Sequence, residues 1–217
     1  MTMTALDDGG MLEVRTGAPQ RVRIETAPQP VDLVAAEQAA RLFLKALGID
    51  PDVPDAPDLA RTPRRFAEAY AELMSPEPFD FTTFANSEGY DELVLIRDIP
   101  VQSLCEHHLL PFTGVAHVAY LPADRVVGLS KIPRMVDHYA RRPQTQERLT
   151  VQIADALAAR LQPRGIGVVV EAAHTCMTLR GARATGSNTS TSALRGILRE
   201  DARSRAEFFA LAADRTR

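Results

Sequence analysis

Two short cysteine–histidine clusters dominate this chain: Ser103-Leu104-Cys105-Glu106-His107-His108 and, far downstream, His174-Thr175-Cys176. The chain has only two cysteines, and each lies within two residues of a histidine. Thiolate sulfur and imidazole nitrogen are the donors that zinc prefers. Cys105 and His108 have Cys-x-x-His spacing, so a tight turn can aim both at one ion, and Cys176 can supply a third ligand. Three protein ligands leave a fourth position for water, the pattern of a catalytic rather than a structural zinc site. A fold that uses both clusters must bring two distant segments to one point.

Two other readings of the clusters stay open. Cys105, His108, His174 and Cys176 can form a closed structural site with four ligands. The two cysteines can also pair as a disulfide, although each lies near a histidine and nothing suggests secretion. In the open-site reading, adjacent His107 and His108 do not both point at one ion from a regular strand. His108 ligates and His107 is free for acid–base work. His174 then stands beside the metal on the same strand face as Cys176. Imidazole titrates in the range that suits proton transfer near neutrality. His117 reads as a satisfied core histidine in mid-strand, and His138 as a surface residue on a helix near Arg141.

The pattern along the chain is α+β with an antiparallel sheet. Residues 1 to about 30 are polar and rich in Gly, Pro, Thr and Asp, and read as a tail. A helix is expected over Leu33–Leu47, with Ala36, Ala40, Phe43, Leu44 and Leu47 on one face. Thr62-Pro63 starts a second helix, Thr62 as its cap and Pro63 as its first residue. Residues 76 to 92 read as a connection. Glu92–Leu104 and Thr113–Leu121 read as strands, which leaves Cys105–Pro111 as the connection between them. Val115, His117, Ala119 and Leu121 share one face of the second strand.

Ser130 caps a third helix, whose buried stripe is Ile132, Met135, Val136 and Tyr139. Another helix begins near Gln144 and carries Leu149, Ile153, Leu157 and Leu161. Ile166–Leu179 reads as a strand. A Ser/Thr-rich segment, Thr185–Ser192, leads to a short strand over Ala193–Leu198, and a last helix spans Ala202–Ala213.

The 217 residues suit one domain with an N-terminal extension, or two small domains. The expected division is a tail over 1–30, a helical region over 31–90 and a catalytic domain over 91–217. A net charge of −3 does not indicate a general nucleic-acid surface, so an anionic substrate needs a local basic cluster. No apolar run approaches the ~18 residues of a membrane span. The first residues lack a basic start followed by an apolar core. A cytoplasmic chain without nucleic-acid or membrane partners is expected.

Neither G-x-x-x-x-G-K-[ST] nor G-x-G-x-x-G is present. Ser130-Lys131 sits at a helix start, where free amides and the helix dipole favour an anion. Arg134 lies one turn on. Arg180 and Arg183 flank Gly181, and Arg61, Arg64 and Arg65 cluster at an earlier helix start. Any single arginine of this kind also reads as a solvated surface charge. Gln146 and Glu147 fall in the first turn of a helix. A carboxylate there is favoured by the dipole alone. It can also accept from two adjacent N–H groups, as guanine presents at N1 and N2.

Taken in order, Cys105-Glu106-His107-His108, Gly128-Leu129-Ser130-Lys131, Arg142-Pro143-Gln144-Thr145-Gln146-Glu147-Arg148-Leu149 and His174-Thr175-Cys176-Met177 with Arg180-Gly181 resemble the GTP cyclohydrolase I family. The resemblance runs from about Thr62 to the last helix. It implies a tunnelling fold, a four-stranded antiparallel sheet with two helices on one side, here with N-terminal helices added. It also implies a homo-oligomer, a decamer of two stacked pentamers with active sites between subunits. The reaction implied takes GTP and water to formate and 7,8-dihydroneopterin triphosphate.

By position, Cys105, His108 and Cys176 match the ligands of one Zn2+ per subunit, whose activated water adds to C8 of guanine. His174 matches the residue that protonates N7, and His107 one that acts near the ribose. Gln146 and Glu147 match the guanine-recognition pair. Ser130, Lys131, Arg134 and Arg180 match triphosphate contacts, with Ser130 also counted among the catalytic residues. Where the family often has a lysine one turn into the Thr-Pro-x-Arg helix, this chain has Glu68, and Arg64 or Arg65 compensates.

Overall fold

A computed structural model describes residues 30–214. The tail expected over 1–30 lies, except for Pro30, outside the described residues. The first helix, α1, spans Leu33–Ala46, and Asp32 caps it by accepting from the Ala35 N–H at 3.0 Å. Ala40 and Leu44 are buried against the next helix, while Phe43 and Leu47 stay exposed. After a 3-10 turn, Pro57–Leu59, α2 spans Thr62–Leu73. Arg61, not Thr62, holds the cap position, with no side-chain bond. Pro63 is therefore the second helical residue, where its missing N–H still has no intrahelical partner to lose.

The expected connection over 76–92 contains a three-residue strand, β1 (Thr83–Ala85). Four long strands follow in sequence: β2 (Val94–Cys105), β3 (Pro111–Leu121) and, after two helices, β6 (Gly165–His174) and β7 (Thr189–Gly196). β1 pairs with β4 (Arg125–Val127) in a separate ribbon. With β5 (Pro143–Gln144), the main sheet has the order β5-β2-β3-β6-β7. It therefore has five strands rather than four. The addition is β5, which runs parallel to Leu104 and Cys105 at the edge of β2.

In the β2–β3 pair, the register shifts between Ile96 and Ile99, where Asp98 adopts a φ of 55°. The Asp98 N–H points at His117 Nδ1, 3.3 Å away. His117 is buried, so the bulge helps to satisfy it.

Helices α3 (Lys131–Ala140) and α4 (Gln146–Leu161) cover one face of the sheet. Ile132, Met135, Val136, Leu149, Ile153 and Leu157 are fully buried with Phe112, Ala116, Val118, Val168 and Val170. Each of these Val, Leu, Ile, Met and Phe side chains contributes ~1.5–3 kcal/mol on burial. Tyr139, expected in this stripe, is only partly buried. α4 starts two residues later than expected, because Thr145 caps it by accepting from the Arg148 N–H.

The opposite face is covered at one end by α7 (Ala202–Ala213), which follows the single turn α6 (Ile197–Glu200). Phe208 is fully buried with Ala119, Leu121, Val169 and Leu198. Glycine is required at position 167, since a Cβ there would lie 2.7 Å from the Phe208 ring. Arg97 donates to the carbonyls of Leu211 and Asp214 at 3.1 and 2.8 Å, closing the end of α7.

Three further expectations are corrected. The strand from Ile166 stops at His174, and Thr175–Thr178 forms one helical turn, α5. His174 and Cys176 therefore do not share a strand face. Part of the Ser/Thr-rich segment is strand, because β-branched threonines alternating with serines suit a sheet edge. His138 is half-buried rather than at the surface. Its Nδ1 lies 3.3 Å from the Glu77 carbonyl oxygen, and its ring meets Phe79 edge-on. Burial lowers its pKa from the ordinary 6.5. Among the described residues, no helix is long and apolar enough to cross a membrane.

Candidate metal centre and active site

The connection from β2 to β3 is a closed turn. The Cys105 N–H donates to Leu110 O at 2.8 Å, and the Leu109 N–H donates back to Cys105 O at 2.7 Å. Leu109 takes a φ of 53° to allow this. The Glu106 N–H donates to Gln144 O at 3.0 Å, so the turn is also pinned to β5. Cys105 ends buried, while His107 and His108 stay exposed at the rim.

Side chains that the sequence reading did not single out strengthen this anchor. Arg148 forms an ion pair with Glu106 and donates from Nε to Gln144 Oε1 at 2.8 Å. Gln144 is fully buried, and its Nε2 donates to Tyr139 O at 2.7 Å and to Gln152 Oε1 at 2.8 Å. Gln144 ends β5 and Arg148 lies in the first turn of α4, so the strand-to-helix corner brings the two together. Nothing local to Glu106 in the sequence signalled its part in this clamp.

Cys176 arrives from the other strand. β6 ends at His174, and the Thr175 hydroxyl donates to Pro111 O at 2.5 Å. The α5 turn then places Cys176 beside Cys105. One donor atom each from Cys105, His108 and Cys176 lie within 4.8 Å of one another. Cys105 Sγ and His108 Nδ1 are 3.7 Å apart. A tetrahedral zinc with bonds of ~2.3 Å to sulfur and ~2.0 Å to nitrogen holds such atoms about 3.5 Å apart, so the donor set fits that ion.

Both cysteines are free thiols, so the disulfide reading does not describe this fold. Burial, with Cys105 adding to it, raises the Cys176 pKa above its ordinary value, and Arg180 acts in the opposite direction. Ionising both sulfurs this close together calls for a cation between them.

His174 is outside the trio. Its Nε2 lies 2.8 Å from Gln146 Oε1, and its ring stacks on Phe112 at 4.5 Å and 12°. Burial lowers its pKa, with Glu147 partly opposing. His107 Nδ1 lies 3.7 Å from Cys105 Sγ but does not join the mutual group. A cavity of about 230 Å³ opens here, lined by the trio, His107, His174, Glu147 and their neighbours.

Gln146, expected beside Glu147 at the base, is buried. It is 2% exposed, and its Nε2 donates to Val170 O and Thr189 O, both at 2.9 Å. Gln146 borders the same cavity as Glu147, but its amide nitrogen is turned into the fold, whereas the Glu147 side chain is exposed. The basic candidates gather less tightly. Lys131 begins α3, and Ser130 stands at its cap position without a side-chain bond. Arg134 lines a separate hollow of about 370 Å³. Arg65 is exposed on α2, and Arg64 is held by Glu68 at 2.8 Å. None of Arg65, Ser130, Lys131, Arg134 or Arg180 lines the Cys/His cavity within one chain among the described residues.

Comparison with known proteins matches residues 36–213 to the model of the family described as GTP cyclohydrolase I. The chain is similar to GTP cyclohydrolase 1 of Thermobifida fusca (strain YX), 52% identical over 186 residues, covering 83% of this chain and 88% of that protein. It is likewise similar to GTP cyclohydrolase 1 of Mycobacteroides abscessus, 55% identical over 181 residues, covering 81% and 87%. Among solved structures it is similar to archaeosine synthase QueF-Like in the apo form, at 22% identity and a TM-score of 0.41, covering 48% of this chain and 93% of that one.

Proposed function

The chain belongs to the GTP cyclohydrolase I family and is an enzyme with GTP cyclohydrolase activity, and we propose that it uses one zinc ion per subunit to convert GTP and water to formate and 7,8-dihydroneopterin triphosphate. The observation that carries the zinc assignment is the mutual approach of Cys105, His108 and Cys176 at a cavity that also holds two other histidines. Bound there, zinc supplies a Lewis acid that lowers the pKa of a water ligand toward ~7.

The chain's own groups do the rest. Glu147 accepts from guanine N1 and N2 and so turns C8 toward the trio. His174 delivers a proton to N7 as the imidazole ring opens. His107, at the exposed rim, serves the ribose side in ring opening and the later rearrangement. Ser130, Lys131, Arg134, Arg180 and Arg65 hold the triphosphate.

None of these groups lines the cavity of its own chain among the described residues. The assembly that brings them to it is a ring of five subunits, two rings stacking into a decamer in the tunnelling-fold manner. Such local convergence lets an acidic chain bind a highly charged anion. We assign 31–90 to the N-terminal region and 91–217 to the catalytic domain, and place the enzyme in the cytoplasm. Its product feeds pterin and tetrahydrofolate synthesis or a 7-deazapurine route.

A closed four-ligand structural site is the second reading. The bond from His174 Nε2 to Gln146 speaks against it, since it occupies one ring nitrogen and His174 lies outside the donor group. Incubating zinc-replete protein with GTP, while following formate and the fluorescence of the oxidised pterin, tests the proposal. Formate and pterin released together are expected, and no formate from metal-replete protein would refute it.

A further inference from the structure

The orientation of the buried Gln146 amide follows from its partners. Nε2 lies 2.9 Å from Val170 O, 2.9 Å from Thr189 O and 3.1 Å from Thr191 Oγ1. Backbone carbonyls only accept, so the amide atom facing them is the donor nitrogen. The Thr191 hydroxyl also presents a lone pair here. Thr150 donates its single hydrogen to the Gln146 carbonyl at 2.7 Å, so in the 2.6 Å contact between the two hydroxyls Thr191 is the donor. Both amide hydrogens are therefore committed. Turning the amide over would set an oxygen against two carbonyl oxygens and leave buried groups unpaired.

The remaining amide atom is Oε1, which accepts only. It lies 2.8 Å from His174 Nε2, so that ring nitrogen carries the hydrogen. Phe112, stacked at 4.5 Å, fixes the plane of the ring. In the neutral imidazole the lone pair then resides on Nδ1. Among the described residues Nδ1 makes no hydrogen bond, and His174 lines the Cys/His cavity.

We propose that Gln146 is a positioning residue rather than a contact to the base: it fixes His174 with the hydrogen on Nε2 and leaves Nδ1 as the atom that exchanges a proton with the substrate. This rests on the assignment of His174 as a proton-handling group. It divides the adjacent pair between two tasks, with Glu147 meeting the base and Gln146 setting the tautomer of its catalytic neighbour. A carboxylate could not replace Gln146, because it has no hydrogen for the Val170 and Thr189 carbonyls.

Magic-angle-spinning NMR of zinc-loaded protein carrying 15N-histidine reads this without turnover, with His174 identified by its absence from His174→Asn. The neutral His174 ring is expected to show a protonated Nε2 and a bare Nδ1. The reverse pattern would overturn the proposal. In Gln146→Met, kcat is expected to fall ~100-fold or more, with KM for GTP held within about twofold. A raised KM with unchanged kcat would put Gln146 on the base and also overturn it. If Gln146→Met does not fold, the NMR pattern of the unaltered protein decides alone. Failure of the unaltered protein to release formate would sink the catalytic reading of His174 while leaving the tautomer result standing.

Discussion

At the Leu121–Gly165 end of the β3–β6 ladder, apolar side chains fill the sheet face under α7, whereas at the Phe112–His174 end the same two strands carry a histidine, border a buried glutamine amide and lead to three candidate metal donors. At the first end, Phe208 is held by shape: Ala119, Val169 and Leu198 surround it, and Gly167 leaves room for its ring. At the second, Gln146 is held by direction. Its amide reaches Val170, Thr189, Thr191 and His174, so each atom has a required donor or acceptor sense. The apolar end can be damaged by volume with little effect on chemistry. The polar end can be damaged without any change of volume.

Substitutions at the two ends can break or sharpen this contrast. The largest effect is expected for Cys176→Ala, which should abolish metal retention and turnover together, read by metal analysis and formate release. Cys176 is only half-buried, so the fold should persist by circular dichroism. Full turnover would remove Cys176 from the chemistry. At the opposite end, Phe208→Ala should cost about 3–5 kcal/mol in a denaturant titration, as loss of a fully buried aromatic does. KM and kcat of the folded fraction should stay near those of the parent.

A smaller effect is expected for Thr150→Val, which keeps the volume but deprives Gln146 O and Thr191 Oγ1 of their partner. The expected cost is about 1–3 kcal/mol, with kcat lowered as well. A change in stability without a change in kcat would separate this network from the site.

The smallest effect concerns His138, away from both ends. Burial lowers its folded pKa below 6.5, with Arg142 and Arg160 acting in the same direction and Asp137 opposing. The unfolded chain therefore takes a proton at this position before the folded chain does. Stability should be flat well above pH 6.5 and fall as pH drops through 6.5 toward the folded pKa. His138→Gln should flatten that dependence, measured as the difference between the two proteins' denaturation midpoints across pH.

The contrast also explains what could be read in the sequence. The stripes of α3 and α4 were legible because burial repeats with the helical period, and Ile132, Met135, Leu149 and Ile153 lie where it puts them. The strands β1, β4 and β5 were not, since two or three residues carry no period and their pairing is decided by distant chain. The trio was legible from residue type and spacing. How Cys176 reaches it was not, because alternation suggested a strand where Thr175 anchors a helical turn to Pro111. Gln146 read as the partner of Glu147 in recognising the base, and the carbonyls that hold its amide come from positions 24 and 43 residues away.

The central claim is that the polar end divides into three metal ligands and separate proton-handling histidines. The most direct test is zinc content and formate release measured together on His174→Ala. Zinc retained at one per subunit with turnover down ~100-fold or more is the expected result. Loss of zinc from that variant would make His174 a ligand, close the site, and contradict the account.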